Sequence, residues 1–168
     1  FTGNLADGYA MDGTFEPHDR RDNVAAAGSM DTTIADQARM WRGMFAGEGL
    51  SPAARAEWVS GRFPIRTTQK FPTIQFFNTV DTRGEASDLS ASLVGETWNG
   101  PNDRYFSKGG HNDWTGNLVI CAERQQRCLI MFGNSVRAEV IYPEIVAMVF
   151  GETDFPFWWI YPELQPQQ

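Results

Sequence analysis

The chain has 168 residues, a formal net charge of −7 and an isoelectric point near 4.8, an acidic balance that argues against nucleic acid and anionic membrane surfaces as partners. Hydrophobic residues make up 42% and aromatic residues 13%, which excludes a disordered chain and suffices for one domain with a real core. No run approaches the roughly 20 apolar residues of a bilayer-spanning helix, so no membrane span is expected.

The chain opens on Phe1 rather than Met. We therefore expect it to begin at a processing site or inside a longer polypeptide; no signal-peptide pattern is present. Residues 1–29 read mostly as loop. Pro17-His18-Asp19-Arg20-Arg21-Asp22 is a polar surface run, and Ala25-Ala26-Ala27-Gly28 is a small-residue segment suited to close backbone packing. Thr33 is a good N-cap, with Asp36 at the third helical position, and Ile34, Ala38, Trp41, Met44 and Phe45 form an apolar stripe at helical spacing. Gly47 and Gly49 end this helix. Ser51-Pro52 opens a second one, running to about Val59.

Ile74 to Thr79 reads as a strand, Asp81 to Ser87 as an exposed loop and Ser90 to Trp98 as an alternating strand. Asn99-Gly100-Pro101-Asn102-Asp103 is a tight turn. Tyr105 to Lys108 is a short strand, Gly109-Gly110 allows another backbone or a ligand to come close, and residues 111–116 turn the chain. Two further strands, Trp114 to Ala122 and Arg127 to Phe132, form a hairpin. In that register Cys121 faces Cys128, which predicts a cross-strand disulfide, the alternative being two core thiols. A disulfide implies an oxidising compartment, periplasmic or secreted. Pro143 to Val149 reads as a short helix. The aromatic tail Phe155 to Pro162 is too apolar to hang free, and should dock on this domain or on a missing part. The order of elements predicts an α+β class, an antiparallel sheet with helices packed on it.

Chemistry-bearing residues concentrate between Tyr105 and Gly116. Lys108 with Gly109-Gly110 offers a cation beside an approachable backbone; the plainer alternative is a solvated lysine before a glycine turn. His111 reads either as an acid/base group or ligand, or as a turn residue with a hydrogen-bonded ring. Asn112 and Asp113 are turn formers, Asn112 being close enough to line a pocket. Trp98 and Trp114 either pack in the core or stack on a substrate. No Cys/His/Asp set has zinc spacing and no phosphate loop occurs, so neither metal nor cofactor is expected.

Together these pieces resemble the C-terminal part of the serine β-lactamase-like hydrolases: class C β-lactamases, DD-peptidases and related esterases. The resemblance is carried by Asn4-Leu5-Ala6-Asp7-Gly8-Tyr9, by the small-residue turn and capped helix from Ala26 to Asp36, and by Gly49-Leu50-Ser51-Pro52. It continues through Tyr105 to Gly116, which is similar to the K-T-G strand and turn, Leu129-Ile130-Met131-Phe132-Gly133-Asn134, and Pro143-Glu144-Ile145-Val146. It implies a single partial domain over 1–168 with the C-terminal portion of a penicillin-recognising transpeptidase fold, acting on an ester, amide or β-lactam by acyl transfer. By the match, Lys108 supplies positive field and the backbone N–H of His111 is one oxyanion-hole donor, while Gly109, Gly110, Asn112 and Trp114 contact substrate. Gly109 stands where the family has Thr, which removes one hydroxyl contact to a substrate carboxylate. The family's nucleophile motif, Ser-x-x-Lys, is missing. Thr67-Thr68-Gln69-Lys70 is its nearest approach, and Phe71-Pro72 after it disfavours a helix; Tyr9-Ala10-Met11 lacks the Asn of the second element. The resemblance therefore implies a partner: an N-terminal fragment of the same hydrolase carrying the nucleophile, acting on a small-molecule or peptide substrate. The competing expectation is a non-catalytic module that binds a peptide or glycan on the same scaffold.

Overall fold

The computed structural model describes residues 2–18, 24–70 and 80–162. The strand expected at Ile74–Thr79, and the charged part of the 17–22 run from Asp19 on, lie outside the described residues. Among the described ones the fold is α+β, with a six-stranded, wholly antiparallel sheet. In chain order its strands are β3 (Phe63–Pro64), β4 (Ser90–Ala91), β5 (Glu96–Asn99), β6 (Arg104–His111), β7 (Gly116–Ala122) and β8 (Arg127–Gly133), and each pairs with its sequence neighbour. A small separate hairpin, β1 (Gly8–Tyr9) with β2 (Phe15–Glu16), interrupts the N-terminal loop. The helices are α1 (Ile34–Ala46), α2 (Pro52–Trp58), α3 (Tyr142–Phe150) and the single turn α4 (Phe157–Ile160).

The sheet is buried on both faces, which is why β7 is an unbroken apolar run from Leu118 to Ala122 rather than an alternating one. Successive side chains of a strand point to opposite faces. Tyr105, Leu118, Ile120 and Met131 meet Tyr142, Val146, Phe150, Trp159 and Ile160 from the C-terminal helices. On the other face Phe106, Val119 and Cys121 meet Trp41 and Val59, with Phe45 and Trp58 packed against them. Trp98 is core: 1% exposed, it stacks on Tyr105 at 5.4 Å, and its indole N–H donates to Thr153 O. The aromatic tail docks on this domain, with Phe155, Trp159, Ile160 and Tyr161 buried.

Local chemistry sets the helix ends as expected. Thr33 Oγ1 accepts from Asp36 N, Ser51 Oγ accepts from Ala54 N with Pro52 opening α2, and Gly47 ends α1 in the left-handed region at φ 75°. Cys121 and Cys128 are register partners on β7 and β8 and form a disulfide.

Several expectations are corrected. Ser90–Trp98 is two strands, because Gly95 at φ 156° folds them into a hairpin in which Ser92 and Gly95 bond to each other. A Cβ at Gly95 would lie 2.1 Å from Ser107 O, so the turn is packed against β6. The strand expected to stop at Lys108 continues through both glycines to His111, and β7 starts at Gly116 instead of Trp114. Of the α1 stripe only Trp41 is buried; Ile34 is 50% exposed, and Gln37 takes a buried position by accepting from the Trp41 indole. Ala25–Gly28 is exposed rather than closely packed.

Candidate functional site

The phase of β6 decides what its far end presents. Arg104 O accepts from Glu123 N, and Asn112 N donates to Thr115 O. In an antiparallel pair, residues alternate between bonding the neighbour and facing away. With the register of β6 on β7, the even residues Arg104 to Asn112 therefore bond toward β7. The backbone groups of Tyr105, Ser107, Gly109 and His111 face the opposite side. Strand β5 meets Tyr105 and Ser107 there, but its ladder stops at Glu96↔Ser107. Beyond that point β6 outruns β5, with the N–H groups of Gly109 and His111 directed to the side that β5 has left.

Gly109 and Gly110 sit in this projecting segment at negative φ or extended geometry, so neither is required by a turn. A Cβ at Gly110 would meet nothing within 4 Å, and one at Gly109 would make only ordinary contacts, 3.4 Å to Asn117 O and 3.7 Å to Leu118 Cδ1. Among the described residues no contact demands glycine here. With no side chain at either position, the pair adds no bulk to either face of the segment. Lys108 is exposed on the Phe106 face, its ammonium donating to Gly109 O at 2.8 Å.

The His111 side chain leads to residues that the sequence reading missed. Its Nδ1 lies 3.3 Å from each carboxylate oxygen of Glu139. Glu139 is on the 3-10 turn Val136–Ile141, started by Ser135 as cap, and is 2% exposed. Gly116, the register partner of His111, makes room for it. The Tyr161 phenol also hydrogen-bonds Glu139; burial first, then the nearby Glu139, Tyr142 and Glu96 charges and phenol, holds that phenol protonated far above its usual range. Tyr142 donates to Gly116 O at 2.6 Å, and burial followed by Glu139 pushes it up to about 12.

A second polar group adjoins this one on the same face of β6. Ser107, 1% exposed, donates to Glu96 Oε2 at 3.2 Å, and Lys70 Nζ donates to Glu96 Oε1 at 2.5 Å while lying 5.7 Å from the Trp159 ring centroid. Glu96 and Glu139 both act on Tyr161. Lys70, Glu96, Ser107, His111, Glu139 and Tyr161 thus form a polar seam between the sheet and the C-terminal tail. No local motif marks it, since its members come from five separate segments.

Other expected site residues sit elsewhere. Asn112 Oδ1 accepts from Trp114 N, Thr115 N and Thr115 Oγ1, so its carbonyl is spent on the turn. Trp114 packs over Gly8, where a Cβ would come within 2.6 Å of the indole, and its O accepts from Tyr9 N. It faces the N-terminal hairpin. His18 is held by Asp7, Nδ1 to Oδ1 2.8 Å; the backbone and then the ring of His18 hold the Asp7 carboxyl below its usual range. Thr67–Lys70 is non-helical, and Thr67 Oγ1 accepts from the Trp159 indole at 2.9 Å. On the opposite face of the sheet a cleft of about 790 Å³ lies between α1 and β8, lined by Trp41, Arg42, Phe45, Arg55, Glu123 and Ile130 among others.

Among the described residues no group of three or more His, Cys, Asp or Glu is placed to hold a metal ion, and no helix is long and apolar enough to cross a membrane. No family model, curated protein or solved structure matches the chain.

Proposed function

We propose that the chain is the C-terminal part of a serine hydrolase of the β-lactamase-like kind, acting by acyl transfer on an ester, amide or β-lactam. In this reading β6 lies along the substrate. Lys108 supplies positive field for a substrate carboxylate, and Gly109 and Gly110 let the substrate backbone lie against the strand as in strand addition. The backbone N–H of His111 is one of the two oxyanion donors. The nucleophile comes from an N-terminal fragment of the same hydrolase. The observation that carries the reading is the projection of Lys108–His111 past β5, with the Gly109 and His111 amides in phase toward that side. No contact among the described residues otherwise calls for glycine there. The Cys121–Cys128 disulfide favours a periplasmic or secreted setting.

The rival reading is a non-catalytic module that holds a peptide or glycan along the same strand. It is favoured by the engagement of Thr67 with Trp159 and by the deep burial of Ser107, which occupy or cover two of the candidate hydroxyls among the described residues. Denaturing mass spectrometry after treatment with a fluorophosphonate and with a penicillin separates the two. Label on a second polypeptide that accompanies an unlabelled 168-residue chain supports the split hydrolase. No label anywhere, with a peptide or glycan retained on the protein, supports the binding module.

A further inference from the structure

The far edge of the sheet carries an arrangement that neither reading of β6 uses. The even residues of β6 pair with odd residues of β7, so Asn117, Val119 and Cys121 bond toward β6. The even β7 residues therefore bond toward β8, where their partners are Arg127, Leu129 and Met131. That leaves the backbone N–H and C=O groups of Cys128, Ile130 and Phe132 directed outward. β8 is the last strand of the sheet, and among the described residues no hydrogen bond reaches these outward groups. Edge strands are ordinarily blunted by charge, proline or brevity. β8 is 7 residues long, with one charge, Arg127 at its start, and no proline. Cys128 and Ile130 pack on the α1 side of the sheet, and Phe132, on the same face by alternation, is 41% exposed. Cys128 and Ile130 also line the cleft of about 790 Å³, with Trp41 and Phe45 of α1. One row of residues thus offers its backbone to the edge and its side chains to the cleft. The charges at this cleft are unequal. Arg55 is engaged: it donates to Phe45 O at 2.8 Å and lies 3.6 Å from Glu123, which is also 3.9 Å from Arg104. Arg42 is exposed and has no hydrogen bond or ion pair among the described residues.

We propose that β8 is a docking edge for an extended peptide segment of another polypeptide, which sets an apolar side chain into the cleft and a carboxylate against Arg42. The proposal is independent of the hydrolase reading. Backbone pairing to Cys128, Ile130 and Phe132 supplies the affinity common to strand addition, and alternate side chains supply the choice of sequence. Side chains two residues apart share a face. An apolar residue and an Asp or Glu two places from it therefore both point to the α1 side. A small anion with an apolar body would satisfy the cleft and Arg42, but would leave the outward backbone row unanswered. A second copy of the chain is the poorer occupant. Two chains of net charge −7 repel, and β8 itself brings no acidic residue to meet Arg42.

The probe is a library of random peptides the length of β8, 7 residues, displayed on phage and selected on the protein as isolated. The best binders are then made as capped synthetic peptides. They are expected to converge on an apolar residue with Asp or Glu two places away, and to slow hydrogen exchange at the Ile130 and Phe132 amides. Arg42→Glu is expected to weaken binding at least about tenfold. Phe132→Pro, which removes one outward N–H, is expected to weaken it as well. Arg42→Glu, on the exposed side of α1, keeps the test decisive if the proline variant does not fold. A selection that yields no binder overturns the proposal, and so do binders without an acidic residue or binding unchanged in folded Arg42→Glu. Protection at the Gly109 and His111 amides in place of Ile130 and Phe132 moves peptide binding to β6 and overturns it too. N-acetylphenylalanine bound as tightly as the peptides would make the cleft a small-anion pocket. A dimer that protects Ile130 and Phe132 without any peptide would give the edge to a second copy; either result overturns the peptide.

Discussion

Gly116 and Glu139 fit against each other so closely that a Cβ on Gly116 would lie 2.6 Å from Glu139 Cγ and 2.7 Å from Oε1. The crowded atoms belong to the root and head of a buried side chain, so they have little freedom to yield. Gly116→Ala should therefore push Glu139 away from His111 and cost about 1–3 kcal/mol through overpacking. Urea unfolding reads the cost, and the His111 tautomer reads the displacement. Unchanged stability and tautomer would show that the 136–141 turn moves aside freely.

Asp103 is fully buried and accepts from three backbone amides, Arg104 N at 2.8 Å, Arg124 N at 2.8 Å and Gln125 N at 3.0 Å. It ties the turn before β6 to the hairpin loop that carries the disulfide strands. Asp103→Ala strands those donors, and should cost about 3 kcal/mol or more. Asp103→Asn keeps one acceptor oxygen and should lose less. A denaturant melt showing Ala no worse than Asn would mean that water replaces the carboxylate at that corner.

The two turns show how far the sequence could be read. Residue choice at a chain end is local, and Thr33 with Asp36, Ser51 with Pro52, and Cys121 opposite Cys128 were all legible because each signal lies within a few residues of its consequence. Asp103 was legible only as a turn former, since its partners at Arg124 and Gln125 lie across the sheet. Glu139 was not legible at all: it meets the candidate residue His111 from 28 positions away. The Ser90–Trp98 alternation misled because two antiparallel strands of one hairpin keep the same period, and only Gly95 betrays the reversal. Ile34 misled because helical spacing says which residues share a face, and not whether anything covers it.

Tyr142 gives the fold an alkaline limit. Its pKa rises from 10.0 to about 12 on folding, through burial first and the neighbouring Glu139 second. Between those values the unfolded chain loses the phenol proton while the folded chain keeps it. The stabilising contribution is thus complete below pH 10 and is lost as pH climbs through about 12. Tyr161 and Tyr105 are raised in the same direction by burial. Stability measured in urea should fall over this range, and less steeply in Tyr142→Phe. An equal slope in the variant would place the alkaline loss on the other two phenols.

Lys108 and Gly110 test the edge of β6 without disturbing the core. Lys108 is exposed, and its ammonium reaches only the neighbouring Gly109 carbonyl among the described contacts; Lys108→Ala should change stability by less than about 0.5 kcal/mol. Gly110→Val meets no atom within 4 Å at its Cβ, and a β-branched residue suits an extended strand, so it should be neutral or slightly stabilising. Gly95→Ala is the contrasting control, since its Cβ would run into Ser107 O at 2.1 Å in a φ of +156°; it should destabilise strongly. If β6 lies along a substrate, Lys108→Ala should lower turnover of an anionic ester more than that of a neutral one. Gly110→Val should raise KM for both by filling the bare face, with the fold intact by circular dichroism. Two stable variants with wild-type kinetics would remove β6 from the site, whereas loss of binding without any wild-type turnover would move the same strand to the rival role of holding a peptide or glycan.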